Sequence, residues 1–239
     1  MSSMHYGRAH HPQAPAGYVH DDMTKAEIKE REATLVPLTD SVRRLVDAVV
    51  RTQVSDSVLD DVRRRVEAMT DELLADALPG PHGVRFGADG GFRNYGNPVV
   101  GKGNAFAPPL EVQRDGEDVW ADFSLGPAYE GPPGLVHGGV SALILDQLLG
   151  EAASAGGRPG MTGTLTIVYK QGTPLGPLRG EARIASTEGV KAVVRGRLLT
   201  RPTDGSEPVV CVEAEGIFIL PRWAREAMAA ADRDHVGDA

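Results

Sequence analysis

Apolar residues in the first third of the chain recur at the spacing of an α-helix. In residues 39–54 they fall at positions i, i+3, i+4, i+7 and i+8, on one face of a helix: Val42, Leu45, Val46, Val49 and Val50. Residues 55–80 continue the pattern with Leu59, Val62, Val66, Met69, Leu73 and Leu74. Serines open this second segment and Pro79-Gly80 closes it, which is typical of helix boundaries. The pattern predicts two amphipathic helices, a helical extension over residues 31–80.

From residue 118 onwards the pattern changes to the alternation of apolar and polar residues that is typical of strands with one solvent-facing side. Strands are predicted over residues 118–125, 162–170, 180–187, 191–200 and 208–220. Residues 80–118 are rich in Gly, Pro and Asn, which predicts turns, with a first strand within residues 103–113.

One segment between the predicted strands is apolar almost all round. Residues 140–155 contain no proline and are long enough for a helix enclosed in the interior. The predicted order is therefore two strands, one helix and four strands, an α+β arrangement in which a single helix packs on a mostly antiparallel sheet. The flanking residues 1–30 and 222–239 are assigned as tails, and the first of these is expected to be disordered.

Composition and charge exclude several classes of function. The chain has 239 residues, 41% of them hydrophobic and 24% charged, which is typical of a globular protein. A formal net charge of −8 gives no field that would draw it to nucleic acid. No stretch reaches the roughly 20 apolar residues of a membrane span, and no signal-like run opens the chain, so we expect a cytoplasmic protein. Adjacent His10 and His11 lack the further ligands of a metal site.

A carboxylate stands in the apolar segment, nine residues after the histidine of a His-Gly-Gly. An unpaired buried carboxylate is costly, so Asp146 lies either at a wet helix edge beside Gln147 or at a functional site. His137, Gly138 and Gly139 precede the helix, where unpaired N–H groups and the helix dipole favour an oxyanion. The alternative is a loop that needs unusual backbone angles, with His137 as a local hydrogen-bond partner.

The segments "EGPPGLVHGGVSALILDQ" and "MTGTLTIVYKQGTPLG" together resemble the hotdog-fold acyl-CoA thioesterases. Within that superfamily the chain is similar to the phenylacetate-pathway branch and to the related human thioesterase superfamily members. The resemblance covers about residues 97–220 and rests on the Gly-Pro-Pro-Gly, the His-Gly-Gly, the following Asp, and a Met-Thr before a strand ending in Tyr-Lys. It implies an α+β hotdog fold over residues 97–221, with an antiparallel sheet wrapped around one central helix.

The resemblance also implies a reaction, the hydrolysis of an acyl-CoA thioester. The backbone N–H of Gly138 would polarise the thioester carbonyl, while His137 and Gly139 shape the loop. Asp146 would act as general base on water or as nucleophile, and Thr162 would position the water or the carboxylate. Because family sites form between subunits, a homodimer or dimer of dimers is implied, with the glycine and the Asp of one site on different subunits. Neither a metal nor an organic cofactor is implied.

One position departs from part of the family. Some bacterial members place an Asn six residues before the histidine, where it helps hold the nucleophilic water; here that position is Gly131. The Gly-Pro-Pro-Gly branch commonly lacks this Asn, so the departure excludes the Asn-assisted mechanism and leaves hydrolysis open.

Coenzyme A carries phosphates, which an acidic chain must bind locally. The candidates are the basic residues on or beside the later predicted strands: Lys170, Arg179, Lys191 and Arg195. Each of these side chains is equally consistent with an ordinary solvated sheet edge.

Two other functions stay open on the sequence. A hotdog hydratase or dehydratase would use His137 and Asp146 as an acid–base pair, although the Gly-Pro-Pro-Gly and the Met-Thr favour hydrolysis. A non-catalytic acyl-CoA binder or regulatory module would use the helical extension to bind a partner. An α/β-hydrolase is disfavoured, because the chain has no Gly-x-Ser-x-Gly nucleophile elbow.

Overall fold

The computed structural model describes residues 18–108, 110–222 and 225–226, and its N-terminal part combines two helices with a three-stranded sheet. The elements are β1 (Tyr18–His20), α1 (Lys25–Arg51), α2 (Asp56–Leu74), β2 (Val84–Phe86) and β3 (Phe92–Arg93). β2 pairs in parallel with β1 and antiparallel with β3. The pair of helices predicted from the apolar periodicity is therefore present, although α1 is much longer than its prediction.

Residues 18–30 correct the prediction of a disordered tail over residues 1–30. They form β1 and the beginning of α1, whereas residues 1–17 lie outside the described residues. Thr24 and Glu27 form a capping box at the start of α1, and the Lys25 N–H donates to the Asp89 carboxylate at 2.9 Å. α1 then continues through Pro37, a residue that usually ends a helix. The sequence signal was weak because Ile28 is the main buried residue of this half of α1.

The C-terminal part consists of a six-stranded antiparallel sheet and one helix that lies on it. The elements are β4 (Gln113–Asp115), β5 (Asp118–Leu125), α3 (Gly138–Ala155), β6 (Met161–Tyr169), β7 (Gly176–Glu188), β8 (Lys191–Thr200) and β9 (Val210–Ile219). The strand order is β4-β5-β7-β8-β9-β6, so β6 is an edge strand paired with the last strand of the chain. The α+β hotdog fold with an N-terminal helical extension is confirmed.

α3 is the centre of the core. Six of its side chains are completely buried: Ile144, Leu145, Leu148, Leu149, Ala152 and Ala153. Glycines let the helix approach the sheet closely, since a Cβ on Gly180 of β7 would lie 2.4 Å from a methyl carbon of Leu148. Burying a leucine side chain stabilises the fold by about 1.5–3 kcal/mol. This packing fixes α3, and with it the position of Asp146.

The prediction of a strand within residues 103–113 is wrong. Residues 103–108 and 110–112 form turns or irregular backbone, and of the described residues in this segment only Gln113, the first residue of β4, belongs to a strand. An asparagine side chain inside the segment bonds to its backbone: Asn104 Oδ1 accepts the N–H of Phe106, as Asn97 Oδ1 accepts those of Val99 and Val100 just before it. Such local bonds hold the backbone in turns instead of a strand ladder.

α2 carries its apolar stripe without burying any residue. Leu59, Met69 and Leu73 are 42%, 51% and 59% exposed, and the arginines of the polar side pair with carboxylates of the same helix. Nothing in the described part of this single chain covers the stripe. Among the described residues no helix combines the length and the apolar character that a membrane span needs.

Candidate active site

The loop before α3 is closed by backbone hydrogen bonds. The Gly131 N–H donates to the Leu135 carbonyl at 2.9 Å, and the Val136 N–H donates to the Thr173 carbonyl at 2.8 Å. A Cβ at position 131 would lie 2.7 Å from the Cα of His137. The loop therefore leaves no room for any side chain here, which is a physical reason why this chain has Gly131 where other sequences place an Asn.

His137 caps α3 and uses most of the hydrogen-bonding groups of the first turn. Its Nδ1 accepts the Gly139 N–H at 3.1 Å, and its carbonyl accepts the N–H groups of Val140 and Ser141 at 2.9 and 3.3 Å. Because Nδ1 accepts, the ring proton of the neutral imidazole is on Nε2. The Gly138 N–H has no acceptor among the described residues. It is one uncommitted donor at the positive end of the helix dipole, which suits a developing oxyanion.

Tyr169 contacts this turn from the end of β6, a residue to which the sequence patterns assigned no role. Its hydroxyl donates to the Gly138 carbonyl at 2.9 Å. A Cβ on Gly138 would lie 3.1–3.2 Å from the hydroxyl and ring of Tyr169, so the close approach depends on a glycine at this position. The only sequence feature that pointed to Tyr169 was the Tyr-Lys at the end of the predicted strand, which is part of the family resemblance.

Asp146 lies two turns further along α3 and is half-buried. The Thr162 hydroxyl, near the start of β6, donates to Asp146 Oδ1 at 2.8 Å. No basic side chain of the described residues forms an ion pair with Asp146. The structure thus brings together two residues that the sequence selected separately, and it leaves the carboxylate with an oxygen that can bind water.

Gly138 and Asp146 of one chain are too far apart to act on one carbonyl group. They are eight residues apart in a continuous helix, which is about 12 Å along its axis. His137 and Asp146 are separated by a similar distance and do not form an acid–base pair within one chain. A site that uses both ends of this α3 segment needs a second copy of the chain.

The four cations proposed to bind phosphate are not gathered around Asp146. Lys170 pairs with Glu213 at 2.9 Å, Arg179 with Glu181 at 2.8 Å, and Arg195 with Glu215 at 2.8 Å. These pairs lie on the sheet face turned away from α3. Lys191, at the start of β8, forms no ion pair with any described residue.

A cleft of about 830 Å³ opens on that outer face. Its lining includes Trp120, Arg195, Arg197 and Glu215, and it contains neither Gly138 nor Asp146. The guanidinium of Arg179 lies 5.6 Å from the ring centre of Trp120. The cleft belongs to a charged sheet surface in which most arginines face carboxylates, so it is separate from the residues of the candidate site.

Three comparisons with known proteins agree. A profile of the Thioesterase superfamily matches residues 133–205. Acyl-coenzyme A thioesterase THEM4 of Xenopus laevis is 36% identical over 100 residues, 41% of this chain and 42% of the relative, so the chain spans less than half of that protein. A crystal structure of a thioesterase superfamily protein is 33% identical, with a TM-score of 0.67 over 84% of this chain and 98% of its own. The aligned 84% of this chain is more than the hotdog domain alone, because residues 97–221 are only about half of the chain. The similarity therefore includes part of the N-terminal extension.

Proposed function

The chain belongs to the thioesterase superfamily, and from this we propose that it hydrolyses an acyl-CoA thioester to a free acid and coenzyme A. The observation that carries the proposal is the uncommitted Gly138 N–H at the start of α3, together with the Asp146 carboxylate held by Thr162. The name of the Xenopus laevis relative supports acyl-CoA as the substrate class.

In the proposed mechanism the thioester carbonyl oxygen accepts the Gly138 N–H. Negative charge develops on this oxygen as the tetrahedral intermediate forms, and the helix dipole stabilises it. One oxyanion donor of this kind contributes about 3 kcal/mol in known hydrolases. The glycines of the His-Gly-Gly allow the acyl group to approach the backbone closely.

Asp146 activates the water that attacks. Its carboxylate takes a proton from the water, the water oxygen bonds to the carbonyl carbon, and collapse of the intermediate breaks the C–S bond. The coenzyme A thiolate leaves and takes up the proton that Asp146 holds, which restores the carboxylate, and the free acid remains. Thr162 keeps one carboxylate oxygen fixed by its 2.8 Å hydrogen bond, so the other oxygen faces the water.

The proposed active unit is a homodimer formed through β6. This nine-residue edge strand has no neighbour on its outer side among the described residues, and Met161, Val168 and Tyr169 are each about half exposed. Such an edge is a template for pairing with another strand. Antiparallel pairing of two β6 strands about the middle of the strand sets the start of β6 in one chain against its end in the other. It therefore brings the Thr162–Asp146 end of one subunit beside the Tyr169–Gly138 end of its partner.

The phosphates of coenzyme A are proposed to bind to one or more of the four basic residues named above. Lys170, Arg179 and Arg195 would have to exchange a carboxylate for a phosphate. Lys191 binds an anion without displacing a partner, so it is the candidate we place first.

The proposal is tested with a panel of acyl-CoA substrates that runs from short to long acyl chains and includes an aryl example. Wild type is expected to release thiol from at least one substrate, and Asp146→Asn is expected to lower kcat roughly a hundredfold or more. Glu151→Gln is the control, because Glu151 lies on the same helix and bonds to Gln147. It should retain wild-type activity.

Other outcomes would favour other functions. Equal rates for Asp146→Asn and wild type would contradict the assigned role of the carboxylate. Tight binding of acyl-CoA without thiol release across the panel would favour the non-catalytic binder. Addition of water to an unsaturated acyl-CoA would favour the hydratase.

A further inference from the structure

The peptide group between Gly138 and Gly139 is held at both ends by side chains. On one side the Tyr169 hydroxyl donates to the Gly138 carbonyl at 2.9 Å. On the other side His137 Nδ1 accepts the Gly139 N–H at 3.1 Å. Two side chains from different parts of the chain, a loop and an edge strand, thus clamp one peptide plane in the first turn of α3.

We propose that Tyr169 is a positioning residue whose hydroxyl fixes the orientation of the Gly138 N–H toward the substrate. This inference rests on the proposed function and extends it to a residue outside the reacting groups. Tyr169 itself touches no reacting atom; it acts on the carbonyl of the residue whose N–H is the oxyanion donor.

A clamp is needed here because two consecutive glycines are the most flexible backbone the chain can place at a helix start. The Gly138 carbonyl already accepts the N–H of the residue four positions later in the helical ladder. A carbonyl has a second lone pair, and the Tyr169 hydroxyl uses it. The peptide plane that carries the Gly138 N–H is held by the His137 carbonyl, which accepts the Val140 and Ser141 N–H groups. The clamp on the next plane restricts rotation about the two glycines that join these planes to the helix, which keeps the donor preorganised.

β6 then acts on both functional ends of α3. Thr162, near its start, holds Asp146, and Tyr169, at its end, holds Gly138. Since β6 is an edge strand, one element adjusts the donor and the carboxylate together. Tyr169 is 54% exposed, so its hydroxyl can be removed without opening a cavity in the core.

The test compares two tyrosines that make the same kind of bond. Tyr169→Phe removes the hydroxyl that donates to Gly138. Tyr129→Phe removes a hydroxyl that donates to the Phe106 carbonyl at the same distance, 2.9 Å, and leaves in place the Tyr129 carbonyl, which accepts the His137 N–H. We expect kcat to fall roughly tenfold for Tyr169→Phe with KM unchanged, and both constants to stay at wild-type values for Tyr129→Phe.

A double variant separates positioning from a general structural effect. When Gly138→Pro has removed the N–H, adding Tyr169→Phe is expected to cost no further activity, because there is no donor left to orient. A thioether analogue of acyl-CoA, which has no carbonyl oxygen, should bind wild type and Tyr169→Phe equally well. Full additivity of the two substitutions, or a weaker Kd for the analogue in Tyr169→Phe, would overturn the inference.

A measurement without substrate keeps this inference distinct from the proposed function. Hydrogen–deuterium exchange over residues 135–142 should be faster in Tyr169→Phe than in wild type and unchanged in Tyr129→Phe. If wild type hydrolyses none of the panel while exchange increases as expected, the proposed function fails and the clamp stands. If exchange over this segment does not change in Tyr169→Phe, the clamp itself is refuted.

Discussion

The first position of α3 allows a backbone donor to be removed by mutation. Proline is tolerated at the first residue of a helix, and His137 has φ −59° and ψ 131°, which suit a residue before proline. Gly138→Pro should therefore fold while lacking the N–H, and we expect kcat to fall roughly 100-fold to 1,000-fold. Gly138→Ala is the control, since it keeps the N–H and adds only the Cβ contact with Tyr169. Steady-state kinetics and thermal melting compare the two, and equal losses would exclude the N–H as the oxyanion donor.

The hydroxyl of Thr162 can be removed by a substitution that keeps the shape of the side chain. Thr162→Val keeps a β-branched residue in β6 but leaves Asp146 without its 2.8 Å donor. Because Thr162 is exposed and Asp146 only half-buried in the single chain, we expect a kcat loss of roughly tenfold, the lower end for a hydrogen bond to a charged group. Thr162→Ser restores the hydroxyl and should recover most of the activity. Kinetics on the best substrate decide this, and a serine variant as slow as the valine variant would contradict it.

At the scale of elements, α3 packs against β7 without a gap at the contact between Leu148 and Gly180. A Cβ on Gly180 would lie 2.4 Å from Leu148, so Gly180→Ala should destabilise the fold by about 1–3 kcal/mol. Leu148→Ala should cost about 2–5 kcal/mol alone, and the double variant less than the sum, because the new methyl occupies part of the cavity. Urea unfolding measures all three. Gly80→Ala is the control and should leave the stability unchanged, because a Cβ at Gly80 has no atom within 4 Å. If the free-energy changes of Gly180→Ala and Leu148→Ala are strictly additive, Gly180 and Leu148 do not compete for space.

The helical extension shows what apolar periodicity does and does not determine. The spacing of Leu59, Met69 and Leu73 predicted α2, and the helix is present. The same stripe would also predict burial against a core, yet α2 has no buried residue. Periodicity is a property of the backbone's own repeat, whereas burial depends on whether a distant surface packs against the stripe.

The whole molecule is the scale at which the proposed site becomes complete. If the donor and the carboxylate come from different subunits, Gly138→Pro and Asp146→Asn chains are each inactive but complement one another when mixed. Random exchange of subunits gives heterodimers with one intact site, so activity should return to about a quarter of wild type. Thiol release after denaturing and refolding the mixture measures this. No recovery, with heterodimers present, would place both groups of a site on one chain.

Local patterns in the sequence determined most of the helices and strands, and they also selected Asp146 and the His-Gly-Gly as functional candidates; Thr162 was a candidate only through the resemblance to the hotdog thioesterases. These depend on side-chain periodicity and on residue chemistry, both of which are legible over a few neighbouring residues. The start of α1 was missed although Thr24 and Glu27 form a local capping box, because the apolar periodicity that follows them is weak. The second anchor of this helix start, Asp89, is 64 residues away in the sequence.

Only the tertiary structure decided which candidates meet. Strand order places β6 beside β9 at the edge, where Thr162 contacts Asp146 and Tyr169 contacts Gly138 across 31 residues of sequence. The same sheet commits Arg179 and Arg195 to carboxylates on its outer face. An alternating pattern specifies that a segment is a strand and which side is wet. It does not specify the neighbouring strand or the register, and those long-range pairings set the contacts of β6 with Asp146 and Gly138.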